Sequence, residues 1–396
     1  MVFTTSVFLE PVSKDLHIGR GTYSTATGLA NIVMAFASPL LGRLIDRFGM
    51  RIVMLPVIAM FALATAGLSL LTTSLLVIML MYAIQGFFSC VQLPTGYSKM
   101  ITARFNERRG LALGIALSGQ GLGTVFLPQY MRYVMGHYGW RAGYIALGVA
   151  VMILAFIPVA VLFAEPEEMK KNREMVRIKG SEDNPALPGI SLKEAWRTPK
   201  YWAAIFTVFL LLCVTNGTLT HIVAMLSDRG ISTNAAVAAV SISGVAMIFG
   251  RVASGYLLDK VYAVYIFCFF IALPMIGAAI LLTGAGGVWS GLAVICMGLA
   301  LGAEVDLMPF IVSRYFGIRS FGALFGFVLT FVALANASGM MLMGWCYQLL
   351  HSYTPMLYAF ELFLVVAILL ITRMGPYRYP APGKQKVTPP AAYANM

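Results

Sequence analysis

The sequence predicts an all-α membrane protein of twelve transmembrane helices arranged as two six-helix bundles. Three observations carry that expectation. The 396 residues are 59% hydrophobic and only 11% charged, with a mean hydropathy of +0.82, whereas a soluble domain carries nearer a quarter charged residues. Apolar stretches recur at the length of roughly 20 residues that a spanning helix needs. Finally, the string Gly42-Arg43-Leu44-Ile45-Asp46-Arg47-Phe48-Gly49-Met50-Arg51 returns in thinned form as Gly255-Tyr256-Leu257-Leu258-Asp259-Lys260, just over half a chain later. In lipid the backbone must satisfy its own hydrogen bonds, which leaves helices or a closed barrel. Unbroken apolar runs such as Ala263–Leu282 lack the alternation of a barrel strand.

In chain order the spans are expected at 1–13, 22–45, 51–72, 74–98, 109–135, 140–163, 201–226, 234–258, 263–284, 288–313, 322–347 and 356–373. The first is short. Thirteen residues rise only about 20 Å, against a hydrocarbon core of about 30 Å, so this helix reads as truncated, with an amino-terminal half-helix missing. It has no basic segment ahead of its apolar run and does not read as a signal peptide. Residues 164–200 form the one long polar stretch, with eight bases, seven acids and the helix breakers Pro185 and Pro188. They are expected to be a linker, ending in a short interfacial helix over Ser191–Trp196. The domain division that follows is 1–163, 164–200, 201–373 and a disordered proline- and alanine-rich tail over 374–396.

Basic residues set the orientation. With the 164–200 linker placed in the cytoplasm, 22 of the 28 Lys and Arg residues lie on the inner side and five on the outer. The remaining one, Arg251, falls within a span. The net charge of +12 is thus accounted for by membrane insertion and needs no nucleic-acid partner. Both termini are expected in the cytoplasm, with the chain in the cell (inner or plasma) membrane, as a monomer in the lipid bilayer. The five cysteines all sit in apolar spans without metal-ligand spacing and read as small buried hydrophobes. No catalytic set is present: G-x-S-x-G, H-E-x-x-H and G-x-x-x-x-G-K-[ST] are all missing from the sequence. The chain is therefore expected to be no enzyme, with no metal or cofactor and no ATP-driven pumping of its own.

Other landmarks share the repeat's register. Gly110 and Gly114 correspond to Gly322 and Gly326, and Tyr144 to Tyr358. Parallel six-helix repeats joined by a linker are the expected architecture of a transporter. At this point the resemblance is specific. Gly42-x-x-x-Asp46-Arg47-x-Gly49-x-Arg51 is similar to the signature between helices two and three of the major facilitator superfamily (MFS), and the likeness runs over essentially the whole chain. The segments Arg104–Gly114, Gly139-Trp140-Arg141 and Gly250–Lys260 resemble its monocarboxylate and oxalate/formate branch. The resemblance implies a gate in which Asp46 and Asp259 hold the positive amino termini of facing helices, with Gly42, Arg47, Gly49, Arg51, Gly255 and Lys260 as the rest of the motif. Ordinary positive-inside anchoring would explain the same charges at helix ends.

Arg251 is the most informative single residue. A cation inside a membrane helix is costly. It lies eight residues before Asp259, about 12 Å from the inner edge, and a guanidinium fork suits a carboxylate. The resemblance implies that this arginine binds the substrate carboxylate; a structural ion pair is the alternative. Glu304 and Asp306 are the candidate partners and proton-coupling acids. They differ by about 200° around their helix, and the sequence does not choose between them. His221 is a candidate substrate or proton-relay residue, with helix-to-helix hydrogen bonding as its other reading. Tyr97, Gln120 and Asn336 are candidate cavity residues, although Asn and Gln in spans more often join helices.

The expected function is secondary active transport of a small organic anion, a monocarboxylate in the first reading, by alternating access, with a proton as co-substrate. Anion exchange of the oxalate/formate type is the rival. Between Arg319 and Arg373 there is no Lys or Arg, so helix eleven lacks the second cation of oxalate-type carriers. A carrier of another small molecule and a non-transporting sensor on the same scaffold complete the alternatives.

Overall fold

The computed structural model describes residues 2–92, 109–162, 189–258, 260–284, 286–317 and 319–379. Among them the chain is helical throughout, apart from an isolated bridge between Gly189 and Gly317. In order, the elements are α1 (Val2–Asp15), α2 (Arg20–Phe48), α3 (Met50–Gly67), α4 (Leu75–Ser89), α5 (Arg109–Val151), α6 (Ile157–Leu162), a short α7 (Leu192–Trp196), α8 (Pro199–Asp228), α9 (Thr233–Leu258), α10 (Ala263–Leu282), α11 (Val288–Ile311), α12 (Phe321–Leu350) and α13 (Thr354–Thr372).

Nine described helices are long and apolar enough to cross a membrane, or ten if the bent pair Val288–Glu304 and Leu307–Phe316 is one span. One of the nine, Gly119–Val161, is two crossings. Its backbone breaks at Gly139, which has φ +78°, a conformation that suits glycine. Trp140 and Arg141, just past the break, bond Asp15 at the end of α1. Farther on, Ala160 accepts a bond from Arg51 beside the α2–α3 turn. The chain therefore turns back at Gly139, and the expected fifth and sixth spans are both present.

Two faces follow from these contacts. The linker face carries the α2–α3 turn, the ends of α6 and α11, and the Gly189–Gly317 bridge. The opposite face carries the α1–α2 turn, Gly139, and the α8–α9 and α12–α13 turns. Proline explains one irregularity: Pro309 has no amide to bond the carbonyl of residue 305, and α11 bends by 41° between Glu304 and Leu307. In the second half, α8 is buried along its length from Leu211 to Leu226. Helices α1, α9, α11, α12 and α13 surround it, so even its polar side chains, Thr215, Asn216 and His221 among them, are buried.

The short helix expected at the end of the linker is α7, which opens with a capping box in which Ser191 and Glu194 bond each other's backbone amides. One boundary differs from the sequence expectation: the tail starts later than 374. Met374 is fully buried, Gly375 O accepts from the hydroxyls of Tyr262 and Tyr315, and the amide of Tyr379 bonds Arg314 O. The apolar rings of Tyr262, Tyr315 and Tyr377 give this stretch something to pack on, which composition alone hid. The remainder of the linker and residues 380–396 lie outside the described residues.

Candidate functional site

The two halves meet through two seams of small residues near the opposite face. On the first, α2 lies against α12: a Cβ added at Gly21 would sit 3.2 Å from Gly344 O, and one at Gly344 would sit 3.0 Å from Arg20 O. On the second, α5 lies against α9: a Cβ at Gly244 would meet Gly121 O at 2.9 Å. Only glycine lets two backbones approach so closely. Side chains then bond across the seams. Trp345 Nε1 donates to Thr25 Oγ1 at 2.8 Å, Ser241 Oγ to Val125 O at 2.8 Å, and Arg132 to Asn234 Oδ1.

Towards the linker face the same helices part. A Cβ added at Gly42, Gly255, Gly322 or Gly326 would meet nothing within 4 Å. Gln120, Ala253, Gly255 and Tyr256 are exposed. Among the described residues, the two halves are packed together towards one face and apart at these glycines towards the other.

Arg251 stands where the seam ends. It is one turn along α9 from Met247 and Ile248, and 6% of its surface is exposed. Its Nη2 points across the halves to Gln120 Oε1 on α5 at 3.5 Å, at the outer limit of a hydrogen bond. Two of the expected cavity residues, Arg251 and Gln120, are thus brought together at the floor of the opening.

Helix α11 backs this position. A Cβ at Gly298 would meet Ser243 O at 2.4 Å, and one at Gly302 would meet Met247 O at 2.0 Å. The two helices run in parallel register with four-residue steps. The next step brings position 306 level with Arg251, while 304 lies off that stripe. Glu304 turns instead into the second half, where Thr215 Oγ1 donates to its Oε1 at 3.2 Å. It is 3% exposed, and its Oε2 has no hydrogen-bond partner. The side chain of Asp306 lies outside the described residues.

His221 is elsewhere. It is fully buried in the closed seam, with Nε2 at 3.0 Å from Ser24 Oγ and 3.2 Å from Met340 O, and Nδ1 at 3.2 Å from Tyr353 OH. It lies seven residues from the end of its helix nearest the opposite face and Arg251 lies 18 from the start of its own, a depth difference of about 16 Å. His221 and Arg251 therefore do not share a site in this conformation. Asn336 lies midway along α12 with a buried Oδ1 that has no partner, so it does not join helices through that atom.

Of the gating motif, Gly49 has φ +94° and ends α2, which explains the glycine. Arg51 Nη2 bonds Ala160 O at 2.5 Å. Arg47 is exposed, over the Phe48 ring, and Lys260 lies over the ring of Tyr256. Tyr97, Asp259 and the side chain of Asp46 lie outside the described residues. Among the described residues no three His, Cys, Asp or Glu side chains are grouped to hold a metal.

One cluster was not foreseen. Arg20 at the start of α2 grips Asp228 at the end of α8, Nη1–Oδ2 2.5 Å and Nη2–Oδ1 2.8 Å, and donates to Tyr353 OH at 3.0 Å. The available signal was an acid and a base at the outer ends of spans from different halves.

A family model described as Major Facilitator Superfamily matches residues 1–320. The chain belongs to this superfamily. It is 24% identical over 339 residues to an uncharacterized MFS-type transporter, YhjX, of Escherichia coli (strain K12), covering 83% of this chain and 79% of that one. It is 27% identical over 355 residues to monocarboxylate transporter 4 of Rattus norvegicus, covering 84% and 70%. Among solved structures, the nucleoside transporter NupG aligns with a TM-score of 0.74 at 14% identity, over 94% of this chain and 96% of that one. A bacterial homologue of the human lysosomal transporter Spinster, in an inward-facing and occupied conformation, aligns with a TM-score of 0.69 at 17% identity, over 94% of both. These two show the fold. The MFS chain is thus an integral, multi-pass membrane transporter for a small molecule and not an enzyme.

Proposed function

We propose that this MFS transporter carries a small organic anion, a monocarboxylate, by alternating access, and that Arg251 binds the carboxylate. The observation that supports this most is the position of Arg251: a guanidinium buried at the floor of the interhalf opening, facing a neutral amide from the other half. A fork of N–H donors in a poorly hydrated site favours a planar anion. The similarity to a monocarboxylate transporter agrees. On α12, which faces the opening from the second half, there is no second cation, and this favours one carboxylate over two.

The two acids of α11 divide the coupling. Position 306, level with Arg251, makes Asp306 the counter-charge that the substrate displaces. Glu304, buried with an unmatched oxygen, carries the coupled proton, because an ionised carboxyl is costly in such surroundings. Basic residues concentrated at the linker face support a cytoplasmic linker and termini, in the cell membrane, with the monomer as the transporting unit.

The test is uptake of radiolabelled small carboxylates into proteoliposomes at several external pH values, with Arg251→Gln alongside. Loss of uptake in Arg251→Gln with retained folding is expected. Wild-type uptake by that variant would exclude the carboxylate role. Uptake driven only by a trans anion, with no pH gradient effect, would turn the reading to exchange.

A further inference from the structure

We propose that Arg20 and Asp228, with the rings of Tyr347 and Tyr353, form the latch that holds the halves together at the opposite face, and that its rupture is a step of the transport cycle. Among the described residues, this is the ion pair that joins one half to the other; Lys14–Glu10 and Arg141–Asp15 stay within the first half. Arg20 belongs to α2. Asp228 ends α8, and Tyr353 begins α13, so both are in the second half. The guanidinium lies 4.1 Å from the centroid of the Tyr347 ring, which stacks on Tyr353 at 4.6 Å. Charge, hydrogen bonds and a ring face thus all act on one side chain.

The connection continues inward. Tyr353 OH also meets His221 Nδ1, and His221 Nε2 meets Ser24 Oγ back on α2. One network therefore leaves the first half at Arg20 and returns to it one turn later at Ser24. Beneath it are the glycine seams, whose close contacts are short-ranged and mostly non-directional. They vanish once the helices part by a few ångströms, whereas the latch fixes the mutual orientation.

Exposure distinguishes a latch from a structural pair. The side chains of Arg20 and Asp228 are 12% and 32% exposed. Water can reach both as they separate, so the open state leaves neither charge stranded in a dry site. A deeply buried pair would resist opening, because removing one partner leaves an uncompensated charge. A fully exposed pair would hold almost nothing. The observed pair lies between these limits.

The test uses the full chain in lipid nanodiscs, with spin labels on cysteines introduced at Tyr138 and Leu349 in a background lacking the native cysteines. Both positions are exposed at the opposite face, one in each half. Electron–electron distance distributions are expected to show one short population in the parent. Arg20→Gln and Asp228→Asn should each raise a longer population severalfold, and the exchange Arg20→Asp with Asp228→Arg should restore the short one. Tyr353→Phe, which keeps the ring and removes the hydroxyl, should give an intermediate shift and serves if either charge variant fails to fold. Unchanged distributions in the single variants, or an exchange variant as open as they are, would overturn the latch. No substrate is present, so the outcome is independent of which anion is carried.

Discussion

At the face opposite the linker, glycines of one half meet backbone oxygens of the other; at the linker face, glycines of the same helices meet nothing. Helix α2 shows both conditions along its own length, with Gly21 and Gly28 crowded against α12 and Gly42 open. The difference teaches that a single helix pair can be tightly packed at one end and parted at the other. Glycine alone does not decide which end is shut. Directional contacts, Arg20–Asp228 at one end and charges at the helix rims at the other, are what can make one end prevail. Arg251 sits at the boundary between the two conditions.

The largest expected effect breaks that boundary. Arg251→Gln should reduce carboxylate uptake by about a hundredfold or more, since hydrogen bonds to charged groups are worth about 1.5–3 kcal/mol each and a bidentate contact has two. Arg251→Lys should recover part of it, because the charge stays and the fork is lost. Uptake kinetics with matched expression decide the matter.

Next, the glycines can be set against each other. Gly121→Leu drives a side chain into Ile248, whose Cγ1 lies 2.4 Å from the added Cβ. It should block closure and abolish turnover while the protein still folds. Gly42→Ala and Gly322→Ala meet open space here, and should leave thermal stability unchanged or raised by up to about 1 kcal/mol through helix propensity. If those two variants also lose transport, the linker face must close tightly at these positions during the cycle, which extends the comparison to a second conformation.

A smaller and more selective change is expected from Glu304→Gln. The amide keeps the shape and the bond to Thr215 but carries no exchangeable acid. Binding of the anion should persist while the dependence of uptake on a pH gradient is lost. A pH-dependent Glu304→Gln transporter would shift proton coupling to Asp306.

The smallest effect concerns a rim pair within one half. The Arg141 guanidinium and the Trp140 indole bond the Asp15 carboxylate and lower its pKa from the usual 3.8. A lowered folded-state value stabilises the protein above the unfolded value, and that contribution is lost as pH falls through the folded one. Asp15→Asn should therefore cause a slight loss of thermal stability at neutral pH that disappears in acid. Transport should be unaffected, in contrast to substitutions in the cross-half latch.

Much of the fold was legible because span length and apolar content are imposed by the bilayer. Most of the spanning helices found among the described residues, and the break between the expected fifth and sixth spans at Gly139, could be read that way. The site was legible only where a residue type is expensive in its setting, as with Arg251. Orientation around a helix was not. Glu304 and Asp306 are two residues apart, and no composition rule says which way either points; the structure turns Glu304 to Thr215. The sequence left His221 open to a proton-relay and a helix-joining reading, and its hydrogen bonds run to Ser24, Met340 and Tyr353, all far away in sequence. Tyr144 and Tyr358 matched as repeat positions, but Tyr144 is buried against the hydroxyls of Tyr23 and Tyr82 while Tyr358 is 63% exposed. Duplication kept the helix and not its environment.

The stretch after α13 has a mechanical consequence. The hydroxyl of Tyr377 accepts the amide of Ala263, which opens α10, while Gly375 O takes the hydroxyls of Tyr262 and Tyr315. Three separate helix ends are thereby riveted to a few residues of chain. These bonds hold α10, α11 and α13 to one another at that end. A version of the protein cut before Tyr377 would loosen that attachment, whereas one cut after Tyr379 would leave it intact.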